Sequence, residues 1–434
     1  SDVRFFVDDD GQIQRVQMKD KQMMASKKSV TGEDELPGAT LVVLDKEGNE
    51  LDRWVSGDKV HGIKNLRVNE TYTLREITAP EGYVIATDVE FTVLDDFQIQ
   101  TVIMKDKQLF VSKKSVTGED ELEGATLYVT EKGSEEVLDK WVSEKEAHAV
   151  NNLKVGKTYV LTEETAPKGY VIASSIEFTV LDDFQIQTVT MIDKIMTAHK
   201  VSADDKYVEG AKMEVRKYHA DASEYEVLDK WTTEKDKSHD IENLRVGETY
   251  TLVEVEAPKG WVLATPVEFT VEDDKEDQNI SMTDIRVSAH KYDETVEKYV
   301  EGASLEVRDE KGKVVDSWTT DKEFHYIENL IAGKSYTLVE TKAPKGYAIA
   351  KPVAFTVVDN GEDQKVVMIN KKVLNYKVDT KVEMLPGAEL EVRDKEGNVV
   401  DKWTSDGTPH KIQNLVVGET YVLVETKAPE GYAI

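Results

Sequence analysis

The chain of 434 residues is acidic, with a net charge of -30, and it contains no cysteine. Its length allows several domains rather than one. The acidic balance disfavours nucleic acid and anionic membrane surfaces as partners, because phosphate binding needs clustered Lys and Arg. The absence of cysteine excludes a disulfide framework, and no apolar stretch reaches the roughly 18 residues of a membrane helix. We therefore expect no membrane contact within this sequence.

Residues 1–22, from Val3 to Asp20, read as a β-hairpin that no other strand precedes. The remainder is a repeat of about 87 residues, marked in each copy by one Trp, one Gly-Ala pair and one Ala-Pro pair. The predicted domains are the hairpin at 1–22, complete repeats at 23–107, 108–194, 195–285 and 286–371, and an incomplete repeat at 372–434. The incomplete repeat lacks its last hairpin, so the two ends of the chain are complementary halves of one domain.

Each repeat is predicted to be entirely β. Short runs rich in Val, Ile, Thr and Tyr alternate with turn clusters such as Asp45–Asn49, and no segment has a sustained helical period. About seven strands in this length are typical of a small Greek-key β-sandwich. The junctions between repeats lack Gly/Ser spacers, so we expect the sandwiches to stack end to end as a rod.

A lysine recurs in the first strand of each repeat. Side chains alternate between the faces of a strand, and apolar and small residues lie four and two positions before each lysine. The lysines predicted to point inward are Lys28, Lys114, Lys200, Lys291 and Lys377. In the first two repeats a second lysine adjoins the first, so Lys27 or Lys113 is an open alternative for the inward position.

Acidic or amide residues recur at two further positions, and each follows apolar residues on the inner face of its strand. The glutamates are Glu76, Glu163, Glu254, Glu340 and Glu425. The Asp/Asn set at the last strand is Asp20, Asp106, Asp193, Asp284 and Asn370. Burial drives a lysine toward its neutral, nucleophilic amine and a carboxyl toward its protonated acid. The set could therefore form an amide between Lys and Asp or Asn side chains, with Glu moving the protons. The alternative is a buried salt bridge with an assisting glutamate.

The segment Tyr72-x-Leu74-x-Glu76-x-x-Ala79-Pro80-x-Gly82-Tyr83 resembles the E-box of Gram-positive pilins and adhesins. The repeat resembles the Cna B-type, SpaA-like domain over essentially the whole chain, and one departure is Trp261 at an E-box Tyr position. The resemblance implies a transthyretin-like sandwich with an isopeptide bond between the first and last strands and the E-box glutamate as catalyst. The implied pairs are Lys28–Asp106, Lys114–Asp193, Lys200–Asp284 and Lys291–Asn370. Asn is the more frequent partner in the family, whereas three of these pairs use Asp.

The function implied is a structural stalk or pilus shaft, extracellular and attached to the cell surface or cell wall. The other hypotheses are an adhesin region that binds a host or matrix protein through its loops, and an enzyme with turnover. The enzyme has no pocket signature, because the chemistry expected here is self-directed and single-turnover. We expect no cofactor and no metal, since the recurring histidines number one per repeat. A fifth bond, between Lys377 and Asp20 of another copy, would join chains head to tail. The alternative is a piece of a longer array.

Overall fold

The computed structural model describes residues 4–9, 11–96, 98–221, 223–293, 295 and 298–434. Every regular element in these ranges is a β-strand, so the described chain holds no helix long and apolar enough to cross a membrane. The chain divides into two compact units. The first is Ser1–Met196 with Asp240–Glu248 and Thr270–Gln278, and the second is Thr197–His239 with Thr249–Phe269 and Asn279–Ile434.

The first repeat, in the first unit, contains seven strands of four to eight residues apart from one two-residue strand. They are β1 (Met23–Ser29), β2 (Thr40–Leu44), β3 (Glu50–Val55), β4 (His61–Gly62), β5 (Thr71–Thr78), β6 (Val89–Thr92) and β7 (Gln100–Asp106). The alternation expected of half-buried strands is clear in β5, where Tyr72, Leu74 and Glu76 are buried and their neighbours are not.

These strands form two sheets, with strand orders β4-β1-β7 and β3-β2-β5-β6. The first strand β1 and the last strand β7 are adjacent and parallel, whereas the other pairs are antiparallel. Apolar residues from both sheets, among them Ala25, Leu41, Leu74 and Met104, share one core. The inner faces of β1, β5 and β7 therefore meet inside the sandwich, which is where the predicted site residues lie.

The same pair of sheets recurs in the next three repeats. In the first unit the second repeat has β8 (Leu109–Ser115), β9 (Thr126–Glu131), β10 (Val137–Val142), β11 (His148–Ala149), β12 (Thr158–Thr165), β13 (Ile176–Thr179) and β14 (Gln187–Asp193). The third repeat has β15 (Met196–Ser202), β16 (Lys212–His219), β17 (Glu224–Thr232), β18 (His239–Asp240), β19 (Thr249–Glu256), β20 (Val267–Thr270) and β21 (Gln278–Asp284).

The second unit holds the fourth repeat, with β22 (Val287–Asp293), β23 (Ser304–Asp309), β24 (Val314–Thr319), β25 (His325–Tyr326), β26 (Ser335–Lys342), β27 (Val353–Thr356) and β28 (Gln364–Asn370). The fifth repeat has β29 (Leu374–Asn375), β30 (Glu389–Arg393), β31 (Val399–Thr404), β32 (His410–Lys411) and β33 (Val422–Lys427). Its sheets are β29-β32 and β31-β30-β33. The predicted all-β sandwich and its tandem repetition are thus confirmed.

The hairpin predicted at 1–22 does not form in the described part of the segment. Residues 4–9 and 11–22 contain no strand, and residues 11–20 are exposed throughout. An isolated two-stranded hairpin is marginal in water, because it has no sheet on which to bury its apolar face. Val3 and Asp10 of this predicted hairpin, and Phe97 of the predicted turn between β6 and β7, lie outside the described residues.

Candidate crosslinking site

The inner face of the first strand carries a lysine in each repeat, but in two repeats it is not the predicted one. In β1 the buried residues are Met23, Ala25 and Lys27, and in β8 the equivalent lysine is Lys113. The prediction of Lys28 and Lys114 was wrong. Both face away from the core and donate to nearby backbone carbonyl groups, Lys28 to that of Glu33 and Lys114 to that of Glu119.

The error has a physical reason. Two lysines are adjacent in β1 and in β8, and both preceding positions, such as Met23 and Met24, are apolar, so alternation alone does not fix the face. The interval from the preceding Asp or Asn does fix it. The inward lysine of one repeat follows the Asp or Asn of the preceding repeat by seven positions. The intervals are Asp106 to Lys113, Asp193 to Lys200, Asp284 to Lys291 and Asn370 to Lys377. The same interval from Asp20 leads to Lys27.

In the first three repeats, lysine, glutamate and aspartate meet in the core as a buried triad. Lys27 Nζ lies 2.8 Å from Glu76 Oε1 and donates to Asp106 Oδ1, and all three side chains are at most 1% exposed. The equivalent lysine–glutamate distances are 2.9 Å for Lys113–Glu163 and 3.3 Å for Lys200–Glu254. Lys113 donates to Asp193 and Lys200 to Asp284. The lysine and the aspartate come from the parallel strands of one sheet, and the glutamate comes from the facing sheet.

The fourth repeat has an amide in place of the aspartate. Lys291 Nζ lies 3.2 Å from Glu340 Oε2, and Asn370 Nδ2 donates to Glu340 Oε1 over 3.2 Å. The glutamate therefore bridges the amine and the amide. Neither Lys291 Nζ nor Asn370 Oδ1 has a hydrogen-bond partner among the described residues, which is costly for buried polar atoms.

Burial shifts the proton affinity of these groups in the direction that the amide chemistry needs. Desolvation raises the pKa of Asp106 to about 8, and the nearby Glu76 adds to the shift while Lys27 opposes it. Desolvation likewise raises the pKa of Asp193 and of Asp284 to about 7. In the fourth repeat desolvation lowers the pKa of Lys291 to about 8, against the charge of Glu340. Buried carboxyl groups thus tend toward the neutral acid, and the buried lysine tends toward the neutral amine.

The glutamates are held in place by the backbone of the segment that follows the E-box. Ala86 N donates to Glu76 Oε2 over 2.8 Å, and the other complete repeats repeat this bond. The other donor–acceptor pairs are Ala173–Glu163 at 2.6 Å, Ala264–Glu254 at 2.8 Å and Ala350–Glu340 at 2.6 Å. In the first three repeats one carboxylate oxygen is therefore oriented by the backbone and the other faces the lysine, whereas in the fourth repeat Glu340 Oε2 does both.

The fifth repeat holds only two of the three residues. Lys377 Nζ lies 2.9 Å from Glu425 Oε1, with side chains 23% and 15% exposed. Asp20, the predicted partner for this lysine, is exposed. The fifth site therefore brings together the lysine and the glutamate of the predicted set, without the aspartate.

The recurring histidines have a role that the sequence reasoning did not find. Each stacks on the Trp of its repeat with ring centroids 4.0–4.1 Å apart, and its Nε2 bonds to an aspartate two residues before that Trp. In the first repeat these residues are Trp54, His61 and Asp52. The recurring Asp-x-Trp was a usable signal. The stack holds the short strand β4, which pairs with β1 beside Lys27.

No group of three or more His, Cys, Asp or Glu side chains in the described ranges could hold a metal ion. A nucleophilic amine, an acceptor carboxyl or amide and a proton-carrying carboxylate, all shielded from water, can form an amide bond between side chains.

A protein-family model described as the SpaA prealbumin-like fold domain matches the chain five times, at residues 21–108, 107–195, 194–286, 285–372 and 371–434. No curated protein matches the chain.

Similar solved structures include the Bacillus anthracis TIE protein, at 18% identity over 80% of this chain and 74% of that chain, with a TM-score of 0.21. A shaft pilin from Lactobacillus rhamnosus GG is 13% identical over 42% of this chain and 99% of its own, with a TM-score of 0.21. The minor pilin of Streptococcus agalactiae is 17% identical over 43% and 99%, with a TM-score of 0.25. Likenesses at these TM-scores carry no argument about this chain.

Proposed function

Because the chain belongs to the family of SpaA prealbumin-like fold domains, we propose that it is a structural stalk or shaft segment of a bacterial surface. Its repeats are locked by amide bonds between side chains, and the cell wall of a Gram-positive bacterium is the setting. The observation that carries this proposal is the water-excluded Lys–Glu–Asp/Asn set in all four complete repeats. The chemistry acts once, on the chain itself, and the molecule has no turnover.

The bond-forming step follows from the geometry of the first repeat. The free amine of Lys27 attacks the carboxyl carbon of protonated Asp106, and a carbon–nitrogen bond forms. Glu76, 2.8 Å from the amine, accepts its proton and passes it to the departing hydroxyl group. That group leaves as water, so atoms and charge balance. Asp106 Oδ2 has no hydrogen-bond partner among the described residues, and in this proposal it is the oxygen that leaves.

The fourth repeat runs the same step with a different leaving group. Lys291 attacks the side-chain carbonyl carbon of Asn370, and the Nδ2 atom leaves as ammonia. Glu340 touches both the attacking amine and Nδ2, so it can carry the proton between them. In the aspartate repeats the product replaces two buried ionisable groups by one neutral amide, and in the fourth repeat it removes one buried ionisable group, which favours the bond.

The mechanical consequence explains why a stalk would use this chemistry. Lys27 and Asp106 are 79 residues apart in sequence but lie on adjacent parallel strands. A pulling force that enters at Lys27 would cross the amide to Asp106 and continue into the next repeat. The core of the sandwich is then outside the path of the force, so the repeat cannot be drawn out.

Single-molecule pulling of the full chain tests this function. We expect the four complete repeats to show no unfolding steps, because the crosslink carries the force and the residues between the two bonded side chains cannot extend. Glu76→Ala should restore one step whose length corresponds to the 79-residue interval, about 270 Å at full extension. Thr87→Ala, an exposed position on the same loop, is the matched control. Unfolding steps of full length from all the wild-type repeats would contradict the proposed function.

The fifth repeat favours a second function, the joining of copies head to tail. An open cavity of about 380 Å³ in this repeat is lined by residues such as Val373, Ile412 and Leu423, on the side where the complete repeats have their last strand. The exposed run Gln14-x-Val16-x-Met18-x-Asp20 has the pattern Gln-x-Val-x-Met-x-Asp of strand β7. In this proposal it adds as the missing strand of another copy and brings Asp20 to Lys377.

Denaturing gel electrophoresis after incubation at high concentration tests the joint. The expected result is a ladder of covalent oligomers, because the Lys377–Asp20 amide survives denaturation while strand pairing does not. Lys377→Ala and Asp20→Ala should each give monomer alone, and Lys19→Ala, next to Asp20, should leave the ladder unchanged. A single monomer band for the wild-type chain would refute the joining function and leave the stalk proposal standing.

A further inference from the structure

Three consecutive residues after the E-box of the first repeat have three different partners. Val84 is fully buried in the hydrophobic core of the second repeat, with Leu109 and Val150. Ile85 forms a two-bond bridge to the second repeat, because its N–H donates to the Leu153 carbonyl over 2.8 Å and its carbonyl accepts from Val155 over 3.1 Å. Ala86 N–H turns back and donates to Glu76 of its own repeat. One short segment therefore joins the next repeat's core to the proposed catalytic carboxylate.

The same segment also reaches the other side of the site. Val84 N–H donates over 3.1 Å to the carbonyl of Lys107, the residue directly after Asp106. The backbone around the acceptor aspartate and the carboxylate of Glu76 are thus both bonded to a segment whose own anchor is the following repeat. Without that anchor Val84 would be an exposed apolar side chain, and the segment would lose the burial that helps to hold it against Lys107 and Glu76.

The arrangement recurs inside the second unit. Val262 lies in the core of the fourth repeat, Leu263 N donates to the Leu330 carbonyl over 2.9 Å and Ala264 N donates to Glu254.

At the next junction Ala348 lies in the core of the fifth repeat, Ile349 N donates to the Leu415 carbonyl over 2.7 Å and Ala350 N donates to Glu340. Different side chains at each junction make the same three contacts, so these contacts are a property of the repeat.

We propose that each repeat completes the crosslinking site of the repeat before it. Docking of the following core onto the segment Val84–Ala86 and its counterparts orients the glutamate and the Asp/Asn backbone, so a repeat crosslinks efficiently only after its C-terminal neighbour has folded. The inference rests on the proposed crosslinking function. It gives maturation a direction: during synthesis, each bond waits for the next repeat, and a repeat that is still alone stays adaptable.

Val84, Ile85 and Ala86 are positioning residues, because they touch neither the amine nor the carbon that it attacks. Docking of the following repeat on these residues mainly affects the position of the proposed catalytic glutamate in the preceding repeat. The segment bonds to the second repeat at Leu153 and Val155, whereas Glu163 pairs with Lys113 and accepts from Ala173 of its own repeat. The dependence is therefore expected to be directional, although the folding stabilities of the two repeats are coupled reciprocally.

The test uses the full chain and a matched pair of core substitutions. Leu74 and Leu161 occupy equivalent, fully buried positions in the first and second repeats. Leu161→Asp should unfold the second repeat and slow the Lys27–Asp106 bond by about tenfold or more, although no residue of the first repeat has changed. Leu74→Asp should abolish that bond and leave Lys113–Asp193 within about twofold of its wild-type rate. The rates come from quantified crosslinked peptides after refolding.

A second pair of variants keeps both cores intact. Ile85→Pro removes the N–H that donates to Leu153 and should slow only the formation of the Lys27–Asp106 bond. Ile85→Val keeps this N–H and should form the bond at the wild-type rate. The other three bonds in the same molecule are internal controls. Equal rates for the Lys27–Asp106 bond in the wild type, Leu161→Asp and Ile85→Pro would overturn the proposal. A wild-type chain with no bonds at all would instead overturn the crosslinking function on which it rests.

Discussion

The fifth repeat and the first repeat carry the same amine and the same glutamate in very different surroundings. Lys27 and Glu76 are 1% and 0% exposed at 2.8 Å, whereas Lys377 and Glu425 are 23% and 15% exposed at 2.9 Å. The distance between the two groups is nearly the same. What differs is the last hairpin: the first repeat has it as β6 and β7, whereas no strand follows β33 in the described residues of the fifth repeat.

The difference teaches that the last strand does two things at once. It carries Asp106, the acceptor in the proposed crosslink, and it closes the sandwich over Lys27 through seven paired positions along β1. In the proposed reaction, the same strand therefore supplies the electrophile and excludes water. In the fifth repeat, where no such strand covers them, Lys377 and Glu425 are partly open to solvent.

Adding a last hairpin to the fifth repeat should make it resemble the first repeat. Fusing a second copy of residues 86–107 after Ile434 should complete the sandwich and create a bond between Lys377 and the added aspartate, at the slow rate expected of a repeat that no further repeat follows. We expect the intact mass to fall by about 18 Da below the mass of the fused sequence for this bond alone. The same fusion with alanine at the added aspartate is the control. If the fused chain gains no bond at Lys377, the last strand does not have the dual role that we assign to it.

Within the first repeat, the adjacent residues Lys27 and Lys28 allow a direct comparison of a buried lysine with an outward-facing one. Lys27→Ala should remove one bond and with it about 4–5 kcal/mol of stabilisation from loop closure. Lys28→Ala should keep the bond and change the free energy of unfolding by less than about 0.5 kcal/mol, because its side chain faces away from the core. Peptide mapping and thermal unfolding measure the two effects. If Lys28→Ala removed the bond and Lys27→Ala kept it, Lys28 would be the inward lysine, as strand alternation first predicted.

The pH dependence of bond formation should separate the aspartate repeats from the asparagine repeat. As pH rises through about 8, Asp106 loses the proton that makes its carboxyl group reactive, so the bond in the first repeat should form more slowly. Over the same range Lys291, whose pKa is lowered to about 8, becomes the free amine while Asn370 does not titrate. The bond in the fourth repeat should therefore form faster.

The pH experiment follows chain refolded from denaturant after its mass has been checked to be uncrosslinked, and it reads each bond by its own peptide. Each repeat in one molecule acts as the control for the other. If the rates in the first and fourth repeats changed with pH in the same way, protonation of Asp106 and Lys291 would not limit the reaction.

The smallest expected effect concerns a feature that the first and fifth repeats share. Trp54 stacks on His61, and Trp403 stacks on His410, with nearly identical geometry. His410→Ala should destabilise the fifth repeat by about 1 kcal/mol, the usual contribution of a ring pair. Because we propose no crosslink within the chain for the fifth repeat, thermal unfolding should detect this loss. An unchanged melting transition would mean that the stack only fills space.

Much of the fold was predictable, because the repeat pattern and the strand alternation agree. Glu76 follows Tyr72 and Leu74 on one face, and Asp106 follows Met104, so both were correctly placed in the core. The choice between Lys27 and Lys28 was not decided by alternation, since either lysine continues an apolar face. The histidine stack depends on ring contacts between separate strands, and the role of Ala86 depends on a backbone N–H, which no side-chain pattern reveals.

The intact mass of the full chain tests the central claim most directly. Three Lys–Asp bonds and one Lys–Asn bond should lower the mass of the 48.9 kDa monomer by about 71 Da, the mass of three waters and one ammonia. Tandem mass spectrometry should then locate the bonds at Lys27–Asp106, Lys113–Asp193, Lys200–Asp284 and Lys291–Asn370. A monomer whose mass equals that of its unmodified sequence would contradict the account, because the buried triads would then be salt bridges.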